Sequence, residues 1–281
     1  MSISKRDRLH NAIARLNALT CPVCGAPMER AGDGYACPAR HSINVNRKGC
    51  INVLSTPVDT YYDDALFTAR SRVFSAGCYR PVIDAVERLL PADSAQRILD
   101  AGCGDGWYLS ELLTRHPDWC GAGVDISRDA VFHATEHDCE AVWCVADLRR
   151  LPFADGAFTA VLDVLTPASY DEFTRVLAPD GVIIKVYPAS GYLRELRAAR
   201  GLALYEEGQV EAYLREKTDV LAHERVTHTM PTNDALWRDF VWMTPLNQDL
   251  SDEEKNAIAA RNGGTVTVDL YVTACRLRGR A

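Results

Sequence analysis

Cys21, Cys24, Cys37 and His41 read Cys-x2-Cys-x12-Cys-x3-His, and no other stretch restricts the folding of this chain so tightly. Each pair sits on a tight turn, Cys-Pro-Val-Cys-Gly and Cys-Pro-Ala-Arg-His, so two side chains per turn can converge on one ion. Thiolate and imidazole are ligands of tetrahedral Zn2+, and four protein ligands leave no open position for water. The expected role is structural, not hydrolytic. Residues 21–54, with strands expected at Gly34–Ala36 and Ile51–Leu54, are too few for a core of their own and need the metal to fold.

Around this module the chain of 281 residues leaves room for one large domain. Residues 1–20 read as a helical extension, 21–54 as the zinc-binding module, and 55–79 as a linker that turns helical at Asp64–Ala76. From residue 80 to 281, strand and helix alternate. Val82–Leu90 is an amphipathic helix, Arg97–Ala101 a buried strand, and Trp107–Thr114 a helix. Gly121–Asp125 is a strand, followed by a helix opening at Ser127 and Arg128. Ala141–Val145 and Phe158–Leu165 are strands. Helix Tyr170–Val176 leads through Ala-Pro-Asp-Gly to strand Val182–Tyr187. This alternation predicts an α/β fold, a parallel Rossmann-like sheet with helices on both faces. Glu224–Met230 and Thr265–Cys275 read as long strands of an antiparallel edge.

The net charge of −7 argues against a protein that coats nucleic acid. The charge is uneven, however. Residues 1–50 carry eight Lys/Arg and three Asp/Glu, a local +5 that leaves −12 on the remainder. A basic module on an acidic body is what a local RNA contact needs, although solvated surface charge gives the same pattern. No run of about 18 apolar residues predicts a membrane span. The basic start lacks the apolar stretch of a secretory signal. Of ten cysteines, three have metal spacing, and Cys103, Cys144 and Cys275 fall in core or cofactor segments, which reads as a reducing cytoplasm.

A second motif carries chemistry. Ile98-Leu-Asp-Ala-Gly-Cys-Gly-Asp-Gly106 is a strand running into a Gly-x-Gly-x-Gly turn and a helix. Glycines admit close approach of a ligand to the backbone, and a helix N-terminus offers free N–H groups. Asp100 precedes the turn. Asp125 ends the next strand, where it can accept both hydroxyls of a ribose. Asp147, in Val-Ala-Asp-Leu, falls where an adenine amino group would sit. Together with Leu-Ala-Pro-Asp-Gly181, these segments resemble the class I S-adenosylmethionine-dependent methyltransferases; dinucleotide folds differ in the spacing of the third glycine.

The whole chain from about residue 21 is similar to one family. The zinc pattern, Lys48-Gly-Cys-Ile-Asn-Val-Leu54 and an Ala-Arg…Ala-Gly-x-Tyr-x-Pro linker (Ala69 to Pro81) precede the methyltransferase motif. Leu-Thr-Pro-Ala-Ser-Tyr-Asp-Glu-Phe-Thr-Arg-Val-Leu177, Lys-Val-Tyr-Pro-Ala-Ser-Gly-Tyr-Leu-Arg-Glu-Leu196 and Trp-Met-Thr-Pro-Leu246 follow it. The chain resembles the 23S ribosomal RNA guanine-N1 methyltransferases, the RlmA group that includes the tylosin-resistance enzyme. It departs from them at Cys50, where an aromatic is usual, at Asp163, where relatives often carry Asn or Arg, and in its pI of about 5.5.

The resemblance implies structural Zn2+ on Cys21, Cys24, Cys37 and His41. It implies S-adenosylmethionine held by Tyr79, Asp100, Gly102, Gly104, Tyr108, Leu109, Asp125, Ile126, Asp147, Leu148 and Tyr192. It further implies an acceptor that is N1 of a guanine in a hairpin of 23S rRNA, gripped with the help of the zinc module. A small-molecule or peptide acceptor on the same scaffold, or a non-enzymatic zinc-dependent RNA-binding factor, are the alternatives. No membrane partner is expected, and a homodimer is allowed. Guanine N1 must lose its proton on methylation, so a carboxylate near the methyl group would help. Asp163, toward the end of the fourth strand, is the candidate, against a plain structural acid. Thr166-Pro167 is expected to shape the acceptor pocket, and Trp107, Tyr170 and Trp242 are candidate stacking partners for a flipped base.

Overall fold

The computed structural model describes residues 3–56, 58, 62–92, 94–261 and 263–278, so parts of the expected extension and linker lie outside the described residues. Helix α1 (Lys5–Leu16) is capped by Ser4, whose side chain accepts from the Asp7 N–H, and it ends at Asn17 in the left-handed conformation. Next come three short antiparallel strands, β1 (Glu29–Ala31), β2 (Gly34–Ala36) and β3 (Ser42–Asn44), in that order. They carry the metal-type turns. Ile51–Asn52 forms β4. It keeps an antiparallel bridge from Ile51 to Val45 of the module, and it also pairs parallel with Cys144 and Val145 and closes the edge of the main sheet.

The helix expected in the linker is α2 (Asp64–Ser75), capped by Asp63, and α3 (Arg80–Leu89) follows. The body continues with β5 (Arg97–Ala101), α4 (Trp107–Arg115), β6 (Cys120–Asp125), α5 (Arg128–Ala134), β7 (Val142–Val145), β8 (Phe158–Val164), α6 (Tyr170–Val176) and β9 (Leu177–Pro188). The last of these begins five residues before the expected Val182, because Leu177 already pairs with Phe158 before the register shifts and resumes at Ala160–Val182. The C-terminal part adds α7 (Arg194–Ala199), α8 (Gln209–Lys217), β10 (Thr218–Pro231), α9 (Asp234–Met243), a 3-10 turn at Pro245–Asn247, α10 (Asp252–Ala259) and β11 (Thr265–Leu277).

The eight-stranded sheet has the order β10-β11-β9-β8-β5-β6-β7-β4. Strands β4 to β9 run parallel, and β11 and β10 are antiparallel to their neighbours, as the long C-terminal strands predict. Strand order reverses beside β5, and its carboxyl end therefore opens a crevice in which α/β sheets bind ligands. One face packs on α3 and α4 through Val82, Val86, Leu109 and Leu112. The other face shares a continuous core with the metal module: Leu9, Ile13, Met28, Tyr35 and Ile43 join Leu99, Val161 and Phe158. A bridge between Leu19 and Phe153 and the Thr20 N–H to Pro152 O bond fasten the module to the body.

The basic N-terminus has a use the charge count did not reveal. Lys5 pairs with Glu136 at 2.5 Å, Arg8 with Asp138 at 2.5 Å and Arg15 with Glu140 at 3.7 Å, while Arg6 meets Asp33 at 3.0 Å. Half of the eight basic side chains thus hold α1 to this chain's own acids. Arg30, Arg40, Arg47 and Lys48 are exposed. None of the ten cysteines forms a disulfide, and no helix among the described residues is long and apolar enough to cross a membrane.

Candidate active site and metal centre

The two metal-type turns meet. Cys21 Sγ and Cys37 Sγ each lie 3.5 Å from His41 Nδ1, and Cys24 Sγ lies 3.7 Å from Cys37 Sγ. All four ligand atoms fall within 4.8 Å of one another. A Zn2+ ion bonded at about 2.3 Å to sulfur and about 2.0 Å to nitrogen at tetrahedral angles spaces its ligands by roughly 3.8 Å (S–S) and 3.5 Å (S–N). The cluster therefore has the dimensions of a Cys3His zinc site, and its four protein ligands fill the coordination sphere.

At the carboxyl ends of β5, β6, β7 and β8 lies a cavity of about 670 Å3. Its floor is the glycine turn. Gly102 takes φ +70°, and a Cβ there would stand 2.5 Å from Thr166 Oγ1. Gly104 takes φ +55°; its N–H donates to Asp125 Oδ2 at 2.9 Å, and a Cβ would press on Arg70 Nη1 at 3.1 Å. Glycine is thus needed both for the backbone conformation and for the approach of Thr166 and Arg70.

Ten of the eleven expected cofactor residues line this cavity: Tyr79, Asp100, Gly102, Gly104, Tyr108, Asp125, Ile126, Asp147, Leu148 and Tyr192. Leu109 does not. Its side chain is wholly buried against the sheet, near Gly121, because it follows Tyr108 on the inward face of α4. Only its backbone N–H faces the Asp100 carboxyl.

Electrostatics distinguish the floor. Asp100 and Asp105 are buried carboxyls and Asp125 a partly buried one, all around one turn. Burial pushes Asp100 up to about 8, with Asp125 and Asp105 adding repulsion. Burial also raises Asp125, although the Ser127 and Gly104 N–H groups work against it. Asp100 Oδ2 and the Tyr108 hydroxyl are buried with no hydrogen-bond partner. A buried orphan acceptor among like charges is costly unless a cation answers it. S-adenosylmethionine carries two cationic centres, an ammonium and a sulfonium, so the donor set fits it. At the other end, Asp147 is held by Arg149 through Nε and Nη2 (2.7 Å), which draws its carboxyl below the usual range.

Several cavity residues carried no role in the sequence analysis. Phe67, Arg70 and Phe74 come from α2, in the segment read as a linker, and Met243, Thr244 and Pro245 come from the end of α9. The motifs around Ala69 and Trp242 were the available signals. Arg70 lies over the Phe67 ring and donates to Met243 O at 3.1 Å; among the described residues no carboxylate is within ion-pair distance of it.

Asp163, the candidate base, is corrected by the structure. It is completely buried, does not line the cavity, and pairs with Lys185 Nζ at 2.9 Å. Being one strand step below the edge, it faces the β9 side chain and not the crevice. Trp107 is core, stacked on Phe74 at 4.8 Å, and Trp242 lies under Lys255. Thr166 and Pro167 do line the cavity, and they also line a second one of about 550 Å3, which Tyr170 reaches.

Comparison with known proteins agrees with this geometry. A family model described as "Methyltransferase domain" matches residues 98–181, and one described as "RlmA, N-terminal" matches residues 19–60. The chain is 33% identical to the putative 23S rRNA (guanine-N(1)-)-methyltransferase YxjB of Bacillus subtilis, covering 90% of this chain and 94% of that protein. It is 31% identical to the 23S rRNA (guanine(748)-N(1))-methyltransferase of Streptomyces fradiae, over 92% and 96% of the two chains. In fold it is similar to a phosphoethanolamine N-methyltransferase of Haemonchus contortus (TM-score 0.50, 16% identity, 78% of this chain and 60% of that one). By sequence over nearly its full length, by its zinc module and by its sheet, the chain belongs to the 23S rRNA (guanine-N1)-methyltransferase family.

Proposed function

We propose that this protein methylates N1 of a guanine in 23S rRNA, with S-adenosylmethionine as methyl donor. The cofactor part of the reading is carried by the cavity floor, where buried carboxyls and the orphan Asp100 Oδ2 call for a cationic ligand, and the guanine acceptor is supported by the relatives named above. When bound, the cofactor supplies a methyl group on a sulfonium, already activated toward a nucleophile. The protein's part is to hold both reactants in line.

In this reading Asp100 and Tyr108 take the cofactor's ammonium, and Arg70 its carboxylate. Asp125 accepts the ribose hydroxyls on the lone pairs that Gly104 and Ser127 leave free. Ile126, Asp147 and Leu148 take the adenine, and Tyr79 and Tyr192 close the opposite wall. The zinc module, residues 21–54, grips the RNA with exposed Arg30, Arg40, Arg47 and Lys48, and residues 80–281 with the α2 segment form the catalytic body. We place the protein in the cytoplasm, with the ribosome's RNA as its macromolecular partner; a homodimer is not required by this scheme.

The test is incubation with methyl-labelled S-adenosylmethionine and either 23S rRNA or a low-molecular-weight extract, followed by mass mapping of the labelled nucleoside. Label on guanine N1 is expected. Label confined to small molecules would replace rRNA by a small-molecule acceptor.

A further inference from the structure

The second cavity has no place in the scheme so far. It is lined by Tyr170, Tyr187, Tyr205 and Tyr213, together with Lys185, and shares Leu165, Thr166, Pro167 and Ala168 with the cofactor cavity. The loop from Leu165 to Ala168 thus lines both cavities, and the cofactor site and an aromatic chamber meet along it. At its mouth Leu165 and Tyr213 are exposed, at 42% and 52%, and Leu165 holds a left-handed backbone at φ 55°. A non-glycine residue in that region costs free energy and marks a position the surroundings enforce. Here the enforcement is visible: the Leu165 N–H bonds Val186 O at 3.0 Å.

Lys185 is the unusual member. Only 6% exposed, it stands near the carboxyl end of β9, opposite Asp163, and lines the chamber. Its ammonium donates to Asp163 Oδ1 at 2.9 Å and to Thr166 O at 2.5 Å. An ammonium has three donors and no acceptor, so one N–H remains. Asp163 fixes the head group, and the contact to Thr166 O ties it to the shared loop. The volume of about 550 Å3 lies in the range of small-molecule pockets. Of the four phenol rings Tyr187 is buried against Tyr271, and the partly exposed Tyr170 and Tyr205 and the exposed Tyr213 offer surface on which a nucleobase, once unstacked from its strand, can be held.

We propose that this chamber receives the acceptor guanine, stacked among the tyrosines, with Lys185 donating to its O6. The proposal rests on the rRNA-guanine reading above. A donor-only group discriminates: it bonds the O6 acceptor of guanine and opposes the amino group that adenine carries at the same ring position. It also bears on the reaction. Guanine N1 gives up its proton to water, and the electron pair left on N1 is shared with O6 as an enolate. The Lys185 charge stabilises that enolate. The N1 pair then forms the bond to the methyl carbon as the carbon–sulfur bond breaks, its electrons passing to sulfur, and the leaving group is the neutral thioether. Lys185 keeps its own protons throughout.

The test uses Lys185→Met combined with Asp163→Leu, so that no lone buried charge is left behind, and it reads cofactor binding, RNA methylation and the pH–rate profile. The expected result is unchanged cofactor affinity, a fall in turnover of about 100-fold, and a rising limb of the profile moved upward by about one pH unit or more. A double variant that methylates at the wild-type rate with the wild-type profile overturns the proposal. Should that variant fail to bind cofactor, Tyr213→Ala decides, since this exposed ring is not part of the core. A rise of about tenfold in KM for the RNA, from loss of one stacking face, supports the chamber, and an unchanged KM overturns it. Wild-type enzyme that labels no RNA at all would instead sink the functional reading on which the proposal stands.

Discussion

The hydroxyls of Tyr79 and Tyr192 meet at 2.8 Å across 113 residues of sequence, joining the start of α3 to the turn after β9 on one wall of the cofactor cavity. Burial drives Tyr79 well above the usual phenol range and raises Tyr192 as well, so both stay protonated at working pH. Of their two hydrogens, one is spent between them and one is left to donate into the cavity. Tyr79→Phe and Tyr192→Phe should therefore each weaken S-adenosylmethionine binding by about 1 kcal/mol, roughly fivefold. Because the pair acts as a unit, the double variant should lose little more than either single one. Calorimetric affinities for the four proteins close the cycle, and fully additive losses would show that the two hydroxyls act independently.

Arg70 offers a sharper prediction, since it was found only in the structure. A buried charge-assisted contact to the cofactor's carboxylate is worth about 1.5–3 kcal/mol. Arg70→Met should thus weaken S-adenosylmethionine by roughly 10- to 150-fold, while leaving binding of 5′-methylthioadenosine, which lacks the amino-acid part, unaltered. Equal losses for both ligands would mean that Arg70 supports the cavity wall through Met243 O and Phe67 and does not contact the carboxylate.

Asp100 predicts a pH dependence of known sign. Its folded value of about 8 lies above the ordinary 3.8, so without ligand the group adds stability in acid, and that contribution disappears as pH rises from about 4 through about 8. A bound ammonium requires the ionised form, so binding must expel the proton. Between pH 6 and 7, affinity for S-adenosylmethionine should rise with pH, and calorimetry in buffers of different ionisation enthalpy should record release of close to one proton. Asp100→Asn should abolish the proton release, weaken binding, and make the ligand-free protein more resistant to heat at pH 8. Retention of the proton release in that variant would assign it to another group.

Much of the site was legible because it depends on local backbone chemistry. The glycine turn and the acids Asp100, Asp125 and Asp147 sit at strand ends, and strand ends are set by hydrophobic runs and turn residues visible in one dimension. Arg70, Phe67 and Met243 were not legible because they reach the cavity from α2 and α9, helices whose packing on each other is a tertiary fact. Asp163 misled for a related reason. Its place near the end of β8 was read correctly, but its partner, Lys185, is 22 residues away, and only the parallel register of β8 and β9 brings them side by side. The basic N-terminus shows the same limit: charge counts do not say that Lys5, Arg8 and Arg15 already have partners on the body.

The metal site yields the last prediction, and the fold alters what it should be. Cys21→Ser or strong chelation removes the fastening of two turns whose residues otherwise bury little of their own. Residues 21–44 should lose protection from proteases. The loss need not spread, because α1 stays pinned by its three ion pairs to Glu136, Asp138 and Glu140, and β4 stays paired with β7. Every described residue lining the cofactor cavity lies at Tyr62 or beyond. Affinity for S-adenosylmethionine should therefore remain within about twofold of the intact protein, while methylation of rRNA disappears. Parallel calorimetry, limited proteolysis and methylation assays separate the two effects. Cofactor affinity that falls together with methylation would show that the shared core of Met28, Tyr35 and Ile43 with Leu99 and Val161 transmits the damage, making the zinc module a support of the sheet and not only a grip on RNA.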